Sequence, residues 1–142
     1  MTHHSTMSAP AQPLFPPLAT ATLVTALLGG IFADGAWEFW ARVITPYWVG
    51  GPLQPAALVQ SVFGFRNFAL AEAIHLIVGV LFYPLGYLFI ALPLARILKP
   101  SLPFLTWPVV AVGYGTGLWV FALYVMAHIF AGLPAFLGFI QL

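Results

Sequence analysis

Three long apolar runs constrain this chain more than any other feature of its sequence. They cover about residues 19–42, 68–92 and 107–131. A helix needs about 20 apolar residues to cross about 30 Å of hydrocarbon, because it rises about 1.5 Å per residue. We therefore predict an all-α fold, a polytopic transmembrane helical bundle with three spans.

The composition excludes a water-soluble monomer. Of the 142 residues, 62% are hydrophobic and 5% are charged, whereas about 25% are charged in an ordinary soluble domain. So few charges cannot keep the surface of a chain of this size in water. The net charge of +1, with no cluster of Lys and Arg, also excludes a nucleic-acid partner. The predicted partners are membrane lipids and other transmembrane subunits.

Prolines and glycines divide the chain into a tail and a membrane domain. Residues 1–18 contain four prolines and no Lys or Arg, which predicts an extended N-terminal tail. Residues 19–142 form the transmembrane helical domain. The segment between the first two runs is too broken by Pro and Gly to cross the membrane, and residues 55–65 predict a short interfacial helix. The apolar residues 134–142 are either an interfacial stub or the start of a fourth span.

The basic residues give a prediction of orientation. Arg42 and Arg66 fall on one side of the three spans, and Arg96 and Lys99 fall on the other. Arg42 lies one helical turn from Glu38 and can pair with it, whereas Arg96 and Lys99 have no acidic neighbour. The positive-inside rule then places the N-terminus and the second loop in the cytoplasm, in what we predict to be a bacterial inner membrane.

The ionisable residues collect on one side of the membrane. In three antiparallel spans, the end of the first, the start of the second and the end of the third share a leaflet. Ionisable groups at membrane depth cost about 2.5–3.5 kcal/mol each, so they face the bundle interior or a partner. We predict a polar cluster of Asp34, Glu38, Glu72 and Tyr124, with His75 and His128 as candidate cofactor ligands.

Two short motifs suggest what His75 binds. Ala71 lies four residues before His75, and this spacing resembles the pigment-binding helix of bacterial light-harvesting polypeptides, where the small residue leaves room for the ring. The resemblance implies bacteriochlorophyll at His75, and an imidazole is equally a ligand for haem iron. Glu72-x-x-His75 resembles half of a di-iron carboxylate motif, whose second half is absent. A single copper or zinc ion and a proton path remain as further hypotheses.

The competing interpretation of these polar residues is structural. Glu38 then pairs with Arg42, and Glu72 pairs with Arg66 or His75. His128 bonds to a tyrosine or to a backbone carbonyl.

Small residues predict close helix packing. Gly79 and Gly86 lie on the second run, and Gly113 and Gly117 lie four residues apart on the third. Glycines at such spacing let a neighbouring helix or a flat ligand approach the backbone.

No Ser/His/Asp set, phosphate-binding glycine loop or paired-carboxylate active site is present outside the membrane, so we do not expect a soluble-type enzyme. An enzymatic function would require that His75 and His128 hold a redox metal. The expected function is a small integral membrane accessory or assembly subunit that docks by its helices to a larger bioenergetic or photosynthetic membrane complex. The alternative is a stand-alone membrane protein that binds haem, pigment or metal through His75 and His128.

Overall fold

The computed structural model describes residues 10–101 and 103–138, and every regular element in these ranges is helical. Three of its helices are long and apolar enough to cross a membrane. We call them the first, second and third spans, and they cover Thr20–Trp48, Phe68–Leu98 and Thr106–Phe130. The predicted all-α fold with three spans is therefore confirmed.

The first span continues beyond its predicted end at residue 42 and contains a π-helical turn. The α-helix Thr20–Phe39 passes directly into the π-helix Trp40–Ile44, and a last helical turn, Pro46–Val49, follows. The Thr45 hydroxyl donates to the carbonyl of Trp40 at 3.1 Å. Gly50 then ends the helix with a φ of 77°, a conformation that glycine adopts without steric cost.

The second span also passes its predicted end at residue 92, and π-helical turns explain the continuation. A π-helical turn, Val78–Phe82, precedes Pro84, and another, Tyr87–Ala91, precedes Pro93. Proline lacks an N–H and its ring clashes with the carbonyl four residues earlier. The wider turn changes the hydrogen-bonding register just before each proline, so the helix continues to Leu98.

The second span begins at a side-chain cap. Asn67 precedes the helix, and its Oδ1 accepts a hydrogen bond from the backbone N–H of Leu70 at 3.1 Å. We expect Asn67→Ala to lower the free energy of unfolding by about 1 kcal/mol, because one N–H of the first turn loses its acceptor. Asn67→Ser keeps an acceptor and should cost less than half as much. Unfolding in mixed detergent micelles, followed by far-UV circular dichroism, measures both; equal losses would contradict the cap.

Two different neighbours contact the third span. Its first half, the α-helix Thr106–Val120, packs on the end of the second span, where Val110 is buried with Ala91 and Ala95. Its second half, the π-helix Phe121–Phe130, packs on a short helix, Pro55–Phe63. That short helix also contacts the beginning of the second span. It therefore links the second and third spans on the side where the polar residues lie.

The described part of the N-terminal tail lies along the far end of the second span. The guanidinium of Arg96 donates to the carbonyls of Pro13 and Leu14, and the rings of Phe15 and Phe89 are 6.3 Å apart. Residues 1–9 of the predicted tail lie outside the described residues.

The chain turns back after the third span. Gly132 has a φ of 67°, and the N–H of Leu133 donates to the carbonyl of Ala127 at 2.9 Å. A short turn, Ala135–Gly138, follows, in which Phe136 and Leu137 both have a left-handed φ of 51°. Residues 131–138 thus fold against the third span and form no continuous α-helix. Residues 139–142, the rest of the segment for which a fourth span was the alternative, lie outside the described residues.

Candidate functional site

Five side chains join the first and second spans, and we call them the polar seam: Asp34, Glu38, Arg42, Glu72 and His75. Glu38 is their centre, since each of its oxygens has a partner. Oε2 accepts from Nε of Arg42 at 2.5 Å, and Oε1 accepts from Nε2 of His75 at 2.9 Å. The predicted pairing of Glu38 with Arg42 is confirmed.

Arg42 also bridges the two spans. Its Nη2 donates to Oε1 of Glu72 at 2.9 Å. The predicted partner of Glu72, Arg66 or His75, is wrong, because the antiparallel register brings residue 42 of the first span opposite residue 72 of the second. The other oxygen, Oε2 of Glu72, is buried and has no hydrogen-bond partner among the described residues. Glu72 is therefore less completely satisfied than Glu38.

Asp34 is the most deeply buried member of the seam, with 7% of its side chain exposed. Its Oδ1 lies 3.8 Å from Nε2 of His75, which is too long for a hydrogen bond. The carboxylate packs directly against the backbone of Gly79, where an added Cβ would overlap Oδ1. Asp34 thus occupies space that any side chain at residue 79 would need.

A second close approach lies beside the first. A Cβ at Gly30 would overlap the carbonyl oxygen of Val80 and Cγ of Pro84. Because Pro84 has no N–H, the carbonyl of Val80 lacks its regular α-helical donor, and it faces the first span at Gly30. The two spans therefore meet backbone to backbone, with Gly30 on one and Gly79 on the other.

The seam runs along the second half of the first span, from its middle toward its end. Asp34 lies about 21 Å along the helix from Thr20 and Arg42 about 33 Å, at about 1.5 Å per residue. All three acidic residues of the chain belong to the seam, together with one guanidinium and one imidazole. Charge-assisted hydrogen bonds of this kind hold two helices in one register, and they also occupy Nε2 of His75.

The second and third spans are joined by a contact that the sequence did not predict. The hydroxyl of Tyr114 donates to the carbonyl of Tyr83 at 2.7 Å, and a Cβ at Gly86 would overlap that hydroxyl. The rings of Tyr87 and Tyr114 also meet edge to face at 5.7 Å. Gly86 was a predicted packing residue, but no spacing pattern indicated which side chain would lie against it.

Gly113 and Gly117 lie elsewhere, on the floor of an apolar groove between the second and third spans. The groove has a volume of about 450 Å³, and Ile90, Leu94 and Tyr114 are among the residues that line it. A Cβ at either glycine would meet no atom of the described chain within 4 Å. Unlike Gly79 and Gly86, these two glycines accommodate no side chain or backbone of the described residues.

The two candidate ligand histidines occupy different places. His75 lies in the polar seam, whereas His128 is exposed and its Nδ1 lies 2.8 Å from the carbonyl oxygen of Leu133. Among the described residues, no hydrogen bond joins the two histidines. Tyr124, which we predicted in the polar cluster, packs instead against His128 and Phe136, with ring centroids 5.3 and 5.5 Å away. The described residues contain no group of three or more His, Cys, Asp or Glu placed to hold a metal ion.

The fold and these contacts define a small helical membrane protein. No protein-family model matches the sequence, and no curated protein or solved structure matches it either. A more specific function therefore rests on the geometry of the chain itself.

Proposed function

We propose that this chain is a small accessory or assembly subunit of a larger membrane complex, and that it docks through the groove between its second and third spans. The two glycines on the groove floor carry this proposal. A glycine inside a helix costs about 1 kcal/mol relative to alanine. Several glycines of the spans have no atom within 4 Å of an added Cβ, but of these only Gly113 and Gly117 line the groove. A helix docked in the groove would explain why both are glycine.

Three other glycines lie at the close contacts between the spans. Gly30, Gly79 and Gly86 each lie where a Cβ would overlap a neighbouring span. Small residues let helix backbones approach closely in membranes, where dispersion contacts provide much of the attraction. Gly113 and Gly117 are also small residues on one span, but they line a groove that is open to the outside. This supports a helix of another protein as the molecule that fills the groove.

A transmembrane helix fits the groove better than a lipid chain does. A lipid chain is flexible and adapts to large side chains, so it has no need of a glycine floor. A helix is rigid and packs at about 8–10 Å from its neighbour, which requires small residues where the backbones cross. Only 11% of the apolar stretch of the third span is buried inside the chain, the same share as in the first span, and a helix docked in the groove would cover part of the remainder.

The rest of the chain supports an accessory role. The segments between the spans cover residues 49–67 and 99–105, which is too little mass for a separate catalytic domain. Aromatic residues make up 16% of the chain, and their exposed rings add to the apolar surface that another subunit could cover. We propose a bioenergetic or photosynthetic complex of a bacterial inner membrane. Arg96 and Lys99 lie at the end of the second span that carries no acidic residue in the sequence, and this favours a cytoplasmic N-terminus.

Site-directed photo-crosslinking in native membranes tests the docking surface. A crosslinking amino acid at Val109, which lines the groove, should capture a transmembrane subunit of a respiratory or photosynthetic complex, identified by mass spectrometry. The same amino acid at Val112, outside the groove and 69% exposed, should capture at least tenfold less of that subunit. Replacing both groove glycines, Gly113→Leu with Gly117→Leu, should reduce the crosslink at Val109 at least tenfold.

Gly115 provides the matched control. It lies in the same helix, with no atom within 4 Å of an added Cβ, but it does not line the groove. Gly115→Leu should change the crosslink less than twofold. Crosslinks to lipid alone or to a second copy of this chain would overturn the proposal, and so would an equal loss in Gly115→Leu.

A further inference from the structure

His128 presents one nitrogen of its imidazole ring to the outside of the third span. Its Nδ1 lies 2.8 Å from the carbonyl oxygen of Leu133. A carbonyl oxygen only accepts hydrogen bonds, so Nδ1 carries the proton, and Nε2 of the neutral ring keeps its lone pair. His128 is exposed, and Nε2 has no hydrogen-bond partner within residues 10–101 and 103–138.

This arrangement is the one that orients a histidine ligand. Metal-ligating histidines commonly donate their other ring N–H to a backbone carbonyl or a carboxylate, which fixes the tautomer and the ring orientation. Here the residue that carries the carbonyl is itself bonded to the third span. The N–H of Leu133 donates to the carbonyl of Ala127 at 2.9 Å, and the turn at Gly132 returns the chain toward the imidazole.

His75 does not offer the same chemistry. Its Nε2 donates to Oε1 of Glu38 at 2.9 Å, and only 14% of its side chain is exposed. A ligand at that nitrogen would have to break the central bond of the polar seam. Of the two histidines in the spans, His128 alone combines a fixed tautomer with an exposed, unbonded nitrogen.

We propose that Nε2 of His128 is the axial ligand of a metallated tetrapyrrole. A bare metal ion needs several protein ligands, and the described residues offer no group of three or more His, Cys, Asp or Glu placed for one. A tetrapyrrole supplies four nitrogens to its own metal and needs only an axial ligand from the protein. A single oriented imidazole is therefore sufficient for a metallated tetrapyrrole but not for a bare metal ion. This proposal does not depend on the docking of another subunit.

The surface around His128 suits a flat, apolar ring. Tyr124 lies beside the imidazole at 5.3 Å, and Phe136 stacks on Trp119 at 5.0 Å with an interplanar angle of 22°. Next to His128 in sequence, Ile129 and Phe130 are 60% and 65% exposed, so apolar contacts are available to the ring edge. The histidine also lies in the π-helix Phe121–Phe130, and π-helical turns are frequent at functional sites.

Titration with zinc protoporphyrin tests the site, because this metal accepts one axial ligand and its absorption and fluorescence report coordination. The protein is held in lipid nanodiscs. We expect a red-shifted Soret band with saturable binding in the unmodified chain, and at least tenfold weaker binding in His128→Gln. Glutamine can still donate to the Leu133 carbonyl, so the turn is kept while the ligand is removed. Circular dichroism verifies that the variant is folded.

Two further variants make the result specific. Added imidazole should restore the red-shifted band to His128→Gly beyond the band that it produces in protein-free nanodiscs, because free imidazole then occupies the vacated position. His75→Gln, which can still donate to Glu38, should bind within twofold of the unmodified chain. The proposal is overturned if His128→Gln binds as well as the unmodified chain, if the unmodified chain gives no red-shifted band, or if only His75→Gln loses binding.

Discussion

We expect Gly30→Leu to lower the free energy of unfolding by about 3 kcal/mol, because a side chain there meets backbone and proline ring, which cannot move aside. An added Cβ would overlap the Val80 carbonyl and Pro84 Cγ. The first and second spans must therefore separate. That separation also pulls His75 away from Glu38, so the steric change and the polar seam weaken together.

The adjacent residue is a matched control for this prediction. A Cβ at Gly29 would meet no atom of the described chain within 4 Å, so Gly29→Leu makes the same chemical change one residue earlier. Its effect should stay within about 1 kcal/mol and should favour the helix, since leucine has the higher helix propensity. Reversible unfolding in mixed micelles compares the two variants. Similar losses at both positions would show that the spans do not meet at Gly30.

The spans were predictable because their signal is local. A long run of apolar residues by itself indicates a lipid environment, and the thickness of the bilayer then sets the length of the helix. The ends were less predictable, since Pro93 reads as a helix terminus in sequence. The π-helical turn Tyr87–Ala91 lets the second span pass it and continue to Leu98. The change of hydrogen-bond register at such a π-helical turn depends on several successive helical turns, so no single residue predicts it.

The polar contacts within one helix were predictable from the sequence, whereas those between helices were not. Glu38 and Arg42 are four residues apart on one helix, so their pairing follows from helical geometry. The bond from Arg42 to Glu72 crosses between spans, and it depends on the register set by the close approach at Gly30 and Gly79. Sequence spacing contains no measure of that register. The contact between Tyr114 and Gly86 was missed for the same reason.

The structure also divides the predicted polar cluster into two groups of residues that lie apart. Antiparallel spans place Asp34, Glu38, Glu72, Tyr124, His75 and His128 in one leaflet, and sequence reasoning treated this as one cluster. Within a leaflet, helices still face different neighbours. The third span packs there on the short helix Pro55–Phe63, so Tyr124 and His128 contact the C-terminal turn instead of the polar seam.

Within the seam, Glu38 should matter more than Glu72. Glu38 accepts from both Arg42 and His75, so Glu38→Leu removes two hydrogen bonds and leaves the half-buried imidazole N–H without an acceptor. Hydrogen bonds to charged groups contribute about 1.5–3 kcal/mol each, and a buried group left unpaired adds its desolvation cost. We expect Glu38→Leu to lower the free energy of unfolding by about 3 kcal/mol in mixed micelles.

Glu72→Leu should cost about 1 kcal/mol or less, although both residues are glutamates bonded to Arg42. Only one oxygen of Glu72 is bonded, and its buried Oε2 has no partner among the described residues. Removing the carboxylate therefore also removes an unsatisfied buried atom, which offsets the lost bond. A double-mutant cycle of Glu38→Leu with His75→Leu should show a coupling of about 1 kcal/mol or more. Equal losses at the two glutamates, or no coupling between Glu38 and His75, would mean that the charges are shared along the seam instead of centred on Glu38.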